Sequence, residues 1–302
     1  MDALITGAGF AGCLAALMLR RSGAGCVIVE RDGPDAYGLA ASHAHRFREE
    51  DLEACADLIG VPASKVALCG RADLLRLMRQ ELDAQNIIVW LDRIEALVGE
   101  PGQRIARSKC GAQWRFGRAV DASGSSFAFA EKAEAGQGRE LDISHLPDSW
   151  TYHSWPVAIE AQHGRSVSEN NALAFMTPDC GAMIATLATQ TGRNSRHSYP
   201  EKKAEAMLRL EPGTLEEPAG SYRGSALTRT HSASDVLCIG DSLIRTPPRF
   251  GDGLRHAIES ARLATASPDT ASAAGALDDY ADQVWSGVSV AMALEAQEGL
   301  SQ

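Results

Sequence analysis

The feature that most restricts the fold is a glycine turn set between two short apolar segments. Ala3–Thr6 reads as a buried strand, Phe10–Arg21 has the spacing of a helix with Ala, Leu and Met inward, and Gly7-Ala8-Gly9-Phe10-Ala11-Gly12 joins them. In such a joint Gly7 allows the tight turn, Gly9 lets the backbone approach a pyrophosphate, and Gly12 permits close helix–strand packing. The helix then offers free N–H groups and the positive end of its dipole to phosphate. A second apolar run, Cys26–Glu30, ends where a carboxylate can accept hydrogen bonds from ribose hydroxyls, with Arg31 beside it. The bland alternative is a glycine-rich turn with a surface glutamate. The strand before and the helix after favour a dinucleotide site made of Gly7, Gly9, Phe10, Ala11, Gly12, Glu30 and Arg31.

The rest of the chain alternates in kind. Helices are expected at Arg48–Ile59 and Arg71–Ala84, and strands at Ile87–Leu91, Ile94–Gly99, Gln113–Arg115 and Arg118–Ala122. Residues 130–147 are polar and rich in Gly and Glu, which suggests a surface loop or linker. Strand signals dominate from 150 to 230, at Trp150–Ala158, Ala172–Thr177 and Ala182–Thr189, with a turn at Pro178-Asp179-Cys180-Gly181 and a helix over Pro200–Leu210. The tail beyond Thr265 is Ala/Ser/Asp-rich and predicts one or two helices. The order α/β, then β, then α/β predicts an α/β, Rossmann-type nucleotide-binding domain carrying an inserted, mainly antiparallel β-sheet. The expected divisions are 1–147, the insert 148–230, and a return over 231–302.

The choice between nicotinamide and flavin dinucleotides turns on LCIGDSLIRTPPRFGDGLRHAIESARLA, residues 237–264. Prolines 247 and 248 exclude a helix interior or central strand, so the stretch reads as strand, ligand-hugging loop, helix. An extended FAD needs such a second loop far along the chain. Asp241 can accept from ribityl hydroxyls, the Pro248, Gly251 and Gly253 backbone can lie along a flavin ring, and the helix from Leu254 can aim its N-terminus at the ring's pyrimidine edge.

On these residues the chain resembles the flavoprotein group that includes aromatic hydroxylases, tryptophan halogenases and geranylgeranyl reductases. The resemblance covers Ala3–Asp32, Arg71–Leu82, Arg118–Gly124 and Val236–Ala264. It puts the group's GD motif on Gly240-Asp241, its P-x-x-G-x-G on Pro248, Gly251 and Gly253, its phosphate-binding arginine on Arg71, and its D-A-T-G strand end on Asp121-Ala122-Ser123-Gly124. It implies FAD as cofactor. The hydroxylases' D-G with a following Ser and Arg is here Asp121-Ala122-Ser123-Gly124, which weakens the case for direct reduction by NAD(P)H. The halogenases' W-x-W-x-I-P is only loosely echoed by Trp150–Pro156, so halogenation is not expected. ALAFMTPDCGAMIATLAT, residues 172–189, resembles a strand–turn–strand of small members, some of which modify tryptophan residues during maturation of quinone cofactors.

The resemblance thus implies an FAD-dependent oxidoreductase of monooxygenase type, hydroxylating an aromatic small molecule or a protein-borne tryptophan. Electrons would come from NAD(P)H or from a separate flavin reductase. A reductase or dehydrogenase of the same fold is the alternative enzyme, and a flavin-retaining protein assisting maturation of a partner is the non-enzymatic one. For chemistry beyond the cofactor, His43, His45 and Arg46 stand out, because two imidazoles and a guanidinium in one loop can bond a substrate, move protons or stabilise an anion. An exposed polar loop is the competing reading. Trp150 and Tyr152 alternate onto one strand face, His153 and Trp155 onto the other. Arg245 and Arg249 flank the prolines, where a solvated arginine is the commoner outcome.

Composition excludes several other classes. A net charge of −10 over 302 residues offers no basic surface for nucleic acid or anionic membranes. Seven scattered cysteines with no Cys/His cluster suggest reduced thiols and no metal site. No run of about 18 apolar residues predicts a membrane span. The N-terminal stretch lacks a basic leader and a small-residue cleavage site, so it reads as the first strand and helix of a cytoplasmic protein.

Overall fold

The computed structural model describes residues 1–33, 47–66, 69–99, 104–129, 142–157, 166–169, 172–179, 182–190, 199–216, 220–230, 236–267 and 269–300. Its strands are β1 (Ala3–Thr6), β2 (Cys26–Glu30), β3 (Ile88–Leu91), β4 (Ile94–Val98), β5 (Ile105–Ser108), β6 (Gln113–Arg115), β7 (Arg118–Asp121), β8 (Ile143–Val157), β9 (Ser166–Glu169), β10 (Ala172–Asp179), β11 (Ala182–Gln190), β12 (Gly220–Arg229), β13 (Val236–Cys238) and β14 (Ile244–Arg245). The helices are α1 (Phe10–Arg21), α2 (Glu49–Ile59), α3 (Ala63–Val66), α4 (Arg71–Ala84), α5 (Pro200–Leu208), α6 (Gly253–Ala266) and α7 (Thr270–Leu300).

Five strands form a parallel sheet in the order β13-β7-β1-β2-β3. Its central strands β7 and β1 are buried at every position because both faces are covered. Ala3, Ile5, Ile28, Val120 and Leu237 face a helical layer in which α1 packs on α6 and α4. Leu4, Val29, Ala119 and Val236 face Ile94, Ala106 and Phe129 beneath the antiparallel sheet β4-β5-β6. The strand order places β1, with its glycine turn, between β2 and β7.

A second, antiparallel sheet has the order β14-β12-β8-β11-β10-β9. On one face Trp155, Val157, Met176, Met183 and Leu187 pack with Ala204, Met207 and Leu208 of α5. Trp150, Tyr152 and Ser154 point to the other face, as strand alternation requires. The fold is therefore α/β with a parallel nucleotide-binding-type sheet and separate antiparallel sheets. The chain from β13 to α6 connects them: Ile244 and Arg245 pair with Thr228 and Leu227 at the edge of the six-stranded sheet.

Two local expectations need correction. Residues 143–147 are not linker but the first part of β8, paired with Arg229–Ser225 of β12. Their polar composition suits a strand segment in which Ser144, His145 and Pro147 are exposed. Pro178 and Asp179 continue β10 rather than beginning a turn, and Pro178 is opposite Met183; Cys180 and Gly181 lie outside the described residues. The Ala-rich tail is one 31-residue helix. No helix among the described residues is long and apolar enough to cross a membrane.

Candidate functional site

Three chain segments remote in sequence meet at the C-terminal edge of the parallel sheet. Gly7 adopts φ +91°, and a Cβ there would lie 2.5 Å from the Ala122 carbonyl oxygen after β7. A Cβ on Gly12 would lie 1.9 Å from the Gly7 carbonyl oxygen. These two glycines let backbones touch. Gly9 differs: among the described residues a Cβ built there meets nothing within 4 Å, and its extended backbone leads directly into α1. Gly9 therefore borders open space at a helix N-terminus, which is the form an anion-binding turn requires.

Glu30 is buried, and its two carboxylate oxygens accept from the Ala8 N–H at 2.5 Å and the Asp32 N–H at 2.9 Å. It holds the glycine turn in place. The groove alongside is lined by Gly7, Glu30, Arg31, Asp92, Arg93 and Ser123 and encloses about 130 Å³. Arg79 of α4 donates to the Ala8 carbonyl at 3.3 Å. It lies two helical turns beyond Arg71, a periodicity that could have flagged it.

The D-A-S-G segment is a knot rather than a reactive group. Asp121 is fully buried; Oδ1 accepts from the Ser123 N–H at 3.0 Å and the Ser123 hydroxyl at 2.6 Å, and Oδ2 from the Phe129 N–H at 2.8 Å. The Ser242 hydroxyl donates to the Gly124 carbonyl at 3.0 Å, tying this turn to the Gly240–Ser242 turn. Gly240 adopts φ +56° because a Cβ there would meet Ala11 at 2.7 Å, and its N–H donates to Ser260 of α6 at 2.8 Å. Gly240-Asp241 thus rests on the start of α1. Asp241 stays open to solvent on one side. The protein around it pushes its carboxyl above the usual carboxylate range, with the positive charges of Arg245 and Arg71 opposing. Arg71, the first residue of α4, is therefore brought within electrostatic reach of Asp241.

Beyond β14, Pro248–Phe250 forms one 3-10 turn that ends on Gly251 at φ +71°, and α6 starts at Gly253. Leu254 is buried in the core beneath that start. Arg48 donates to the Phe250 carbonyl at 3.2 Å and pairs with Asp252 at 2.5 Å, while Phe47 packs edge-on against Phe10 at 5.7 Å. His43, His45 and Arg46 lie outside the described residues; Phe47, which follows them, thus packs beside the glycine turn.

The expectation of solvated arginines beside the prolines is overturned. Arg249 is only 5% exposed and is paired with Asp148 and Glu295, and Arg245 donates to Ser225 at 2.6 Å. Both meet the six-stranded sheet that the chain crosses to join. Arg48, Asp148 and Glu295 were not singled out from sequence. The thiols of Cys13 and Cys55 are pushed up to about 12 by burial, so both are protonated.

With this geometry in place, comparison with known proteins gives a clear answer for fold. No protein-family profile matches the chain, and no curated protein sequence matches it. Solved structures of flavin-binding enzymes do match. PqsL of Pseudomonas aeruginosa, described as a probable FAD-dependent monooxygenase, superposes with TM-score 0.72 at 17% identity, over 95% of this chain and 93% of its own. HpxO of Klebsiella pneumoniae, solved with FAD and uric acid, gives 0.68 at 16%, over 97% and 87%. The flavin-dependent brominase Bmp2 gives 0.68 at 16%, over 93% and 83%. At these identities the likeness defines a shared fold, one that spans nearly the whole chain.

Proposed function

We propose that this chain is an FAD-dependent oxidoreductase of monooxygenase type, acting on an aromatic small molecule or a protein-borne tryptophan. The observation that carries this reading is that Gly240-Asp241 packs on Ala11 of the glycine turn with Arg71 in electrostatic reach of Asp241, within a fold shared with flavin-dependent enzymes. The residues fit the cofactor. Gly9 leaves room for a pyrophosphate at the start of α1, and Arg71 adds positive charge. Glu30 lines the groove at the end of β2, where a carboxylate can meet a ribose. Asp241, ringed by protein yet open on one side, suits ribityl hydroxyls, and the backbone at Pro248, Gly251, Gly253 and Leu254 suits a ring edge. When bound, FAD supplies the redox chemistry.

The chain's own part is to bind, orient and exclude water. In this reading 1–147 and 231–302 form the cofactor-binding body and 148–230 the substrate-facing insert. His43, His45 and Arg46 hydrogen-bond substrate or carry protons, work that typically contributes about 10²–10⁴-fold. The electron donor is NAD(P)H or a separate flavin reductase, and the protein acts in the cytoplasm.

The test is direct. Protein reconstituted with flavin is expected to show oxidised-flavin absorption, release FAD on denaturation, and consume NAD(P)H, alone or with a reductase, with peroxide release in the absence of substrate. Asp241→Ala removes an acceptor contributing about 1.5–3 kcal/mol, so FAD affinity should fall roughly 10–100-fold with the apoprotein still folded. Tight NAD binding without FAD affinity would overturn the cofactor assignment. Bound FAD that never turns over would instead favour a maturation-assisting role. Wild-type rates in His43→Ala and His45→Ala would remove those residues from the site.

A further inference from the structure

We propose that Arg249 is a positioning residue for the flavin-facing turn, and that the C-terminal helix holds that turn through it. This rests on the FAD reading for its consequence, but not for its geometry. The turn at Pro248–Phe250 has little of its own to hold it: Phe250 N–H donates to Pro247 at 3.0 Å and Gly251 N–H to Pro248 at 3.1 Å. Among the described residues, two arginines also bind or brace it. Arg48 grips it from outside, with 39% of its side chain exposed, and such exposed pairs contribute about 0–1 kcal/mol. Arg249 grips it from within.

The guanidinium of Arg249 is surrounded on every side. Nη1 donates to Asp148 Oδ2 at 2.7 Å and to the Tyr152 hydroxyl at 3.2 Å, both on β8. Nη2 and Nε donate to the two oxygens of Glu295 on α7, at 2.5 and 3.2 Å. The guanidinium carbon lies 4.6 Å from the Phe250 ring centre and 5.1 Å from that of Trp150. Asp148 has a side chain with no exposure at all, so its charge depends on Arg249. The planar fork of arginine is what lets one side chain serve two carboxylates on different elements.

Glu295 is a docking point for the sheet as well. Its main-chain carbonyl accepts from Gln190 Nε2 of β11 at 3.2 Å, and Gln190 is opposite Trp150 in the sheet register. One residue of α7 thus joins the turn to the sheet. Nearer its start, Tyr280 of α7 meets His256 of α6 at 2.6 Å. The helix therefore spans the loop-to-α6 connection and is fastened at both sides of it. Moving α7 away at Glu295 would free the turn that presents Gly251–Leu254.

The experiment uses Glu295→Gln, because it leaves Asp148 paired and the buried charge balanced, with Arg249→Lys as second variant. Three measurements are made on the full chain: hydrogen exchange of residues 245–254 in apoprotein, FAD affinity by titration, and the absorption band shape of bound flavin at saturation. In Glu295→Gln the exchange of 245–254 is expected to rise about tenfold while the parallel sheet stays protected, FAD affinity to fall about tenfold, and the flavin band to shift. Arg249→Lys keeps the charge without the fork, and the same three changes are expected in it. A lower denaturation midpoint in both variants with local exchange and band shape unchanged would mean a purely structural ion pair, and would overturn the proposal. If wild-type protein binds no flavin, the cofactor reading fails by itself, and the exchange measurement still decides whether α7 holds the turn.

Discussion

Around Gly7–Gly12, backbones touch because side chains are missing; around Pro248–Leu254, the backbone is held because one side chain reaches two other elements. The first end uses Gly7, Gly12 and Gly240 to bring α1, β7 and the Gly240–Ser242 turn within van der Waals distance. Its polar groups are tied by bonds between neighbouring turns, such as Ser123 to Asp121 and Ser242 to Gly124. The second end uses Arg249, whose partners Asp148 and Glu295 lie 101 and 46 residues away. Steric closeness cannot be adjusted, whereas an ion-pair latch has an open and a closed form. The nucleotide end should therefore behave as scaffold and the loop end as the adjustable part.

The largest effect is expected where closeness is tightest. Gly12→Ala would place a methyl carbon against the Gly7 carbonyl, and neither backbone can move without shifting β1 or α1. A loss of more than about 4 kcal/mol is expected, beyond ordinary overpacking. Urea denaturation or the soluble yield reads it. A variant of wild-type stability would mean that the turn is loose and the contrast between the ends false.

Arg249→Leu probes the other end. It strands the carboxylate of Asp148, which burial already pushes above its usual range while Arg249 opposes that shift. Breaking a buried pair from one side typically costs about 3–5 kcal/mol. Replacing Asp148 by Asn in the same chain should recover part of that loss, because the stranded charge is gone. No recovery would show that packing on Trp150 and Phe250, rather than charge, is what Arg249 contributes.

These two ends also differ in how far they were legible from sequence. The glycine turn, Glu30, Arg71 and Gly240-Asp241 announce themselves because each is a residue type with a local backbone or helix-start role. Arg249 was visible only as an arginine in a loop, since nothing near it reveals two distant carboxylates. Asp148 was hidden twice, by distance and by the polar stretch before it, which read as linker and forms the start of β8. Strand β12 was only a part of a general β signal, because Gly220 and Gly224 interrupt its alternation. The single helix α7 was uncertain in number because no proline separates its turns and no cap residue marks an interior break.

The loop end should lose stability in mild acid. His256, beside the start of α6, is 4% exposed and its Nδ1 meets Tyr280. Burial, with Arg255 and Arg48 adding repulsion, lowers its pKa from 6.5 to about 4. The unfolded chain then binds the proton more readily, so the stability is present above 6.5 and lost as pH falls toward 4. The histidine's share of that loss is roughly 2–3 kcal/mol. His256→Asn should show a shallower decline of unfolding free energy between pH 6.5 and 4.5 than wild type. Parallel declines would mean that the imidazole is protonated in the folded protein.

The smallest expected effect on folding separates scaffold from ligand space most sharply. Gly9 sits between Gly7 and Gly12, yet a Cβ on it touches nothing among the described residues, and its φ of −77° suits alanine. Gly9→Ala should leave apoprotein stability unchanged or raise it by about 0.4–1 kcal/mol, through the lower entropy of the unfolded chain. The open space beside it is where the pyrophosphate of a dinucleotide is proposed to pass, so the added methyl would cost there instead. Overpacking of about 1–3 kcal/mol corresponds to roughly 10–100-fold weaker FAD binding. Calorimetry of the apoprotein and a flavin titration, done on the same preparation, read the two effects apart. Unaltered FAD affinity in a fully stable variant would show that the cofactor backbone does not run past Gly9, and would move the phosphate site toward Arg71 and the start of α4.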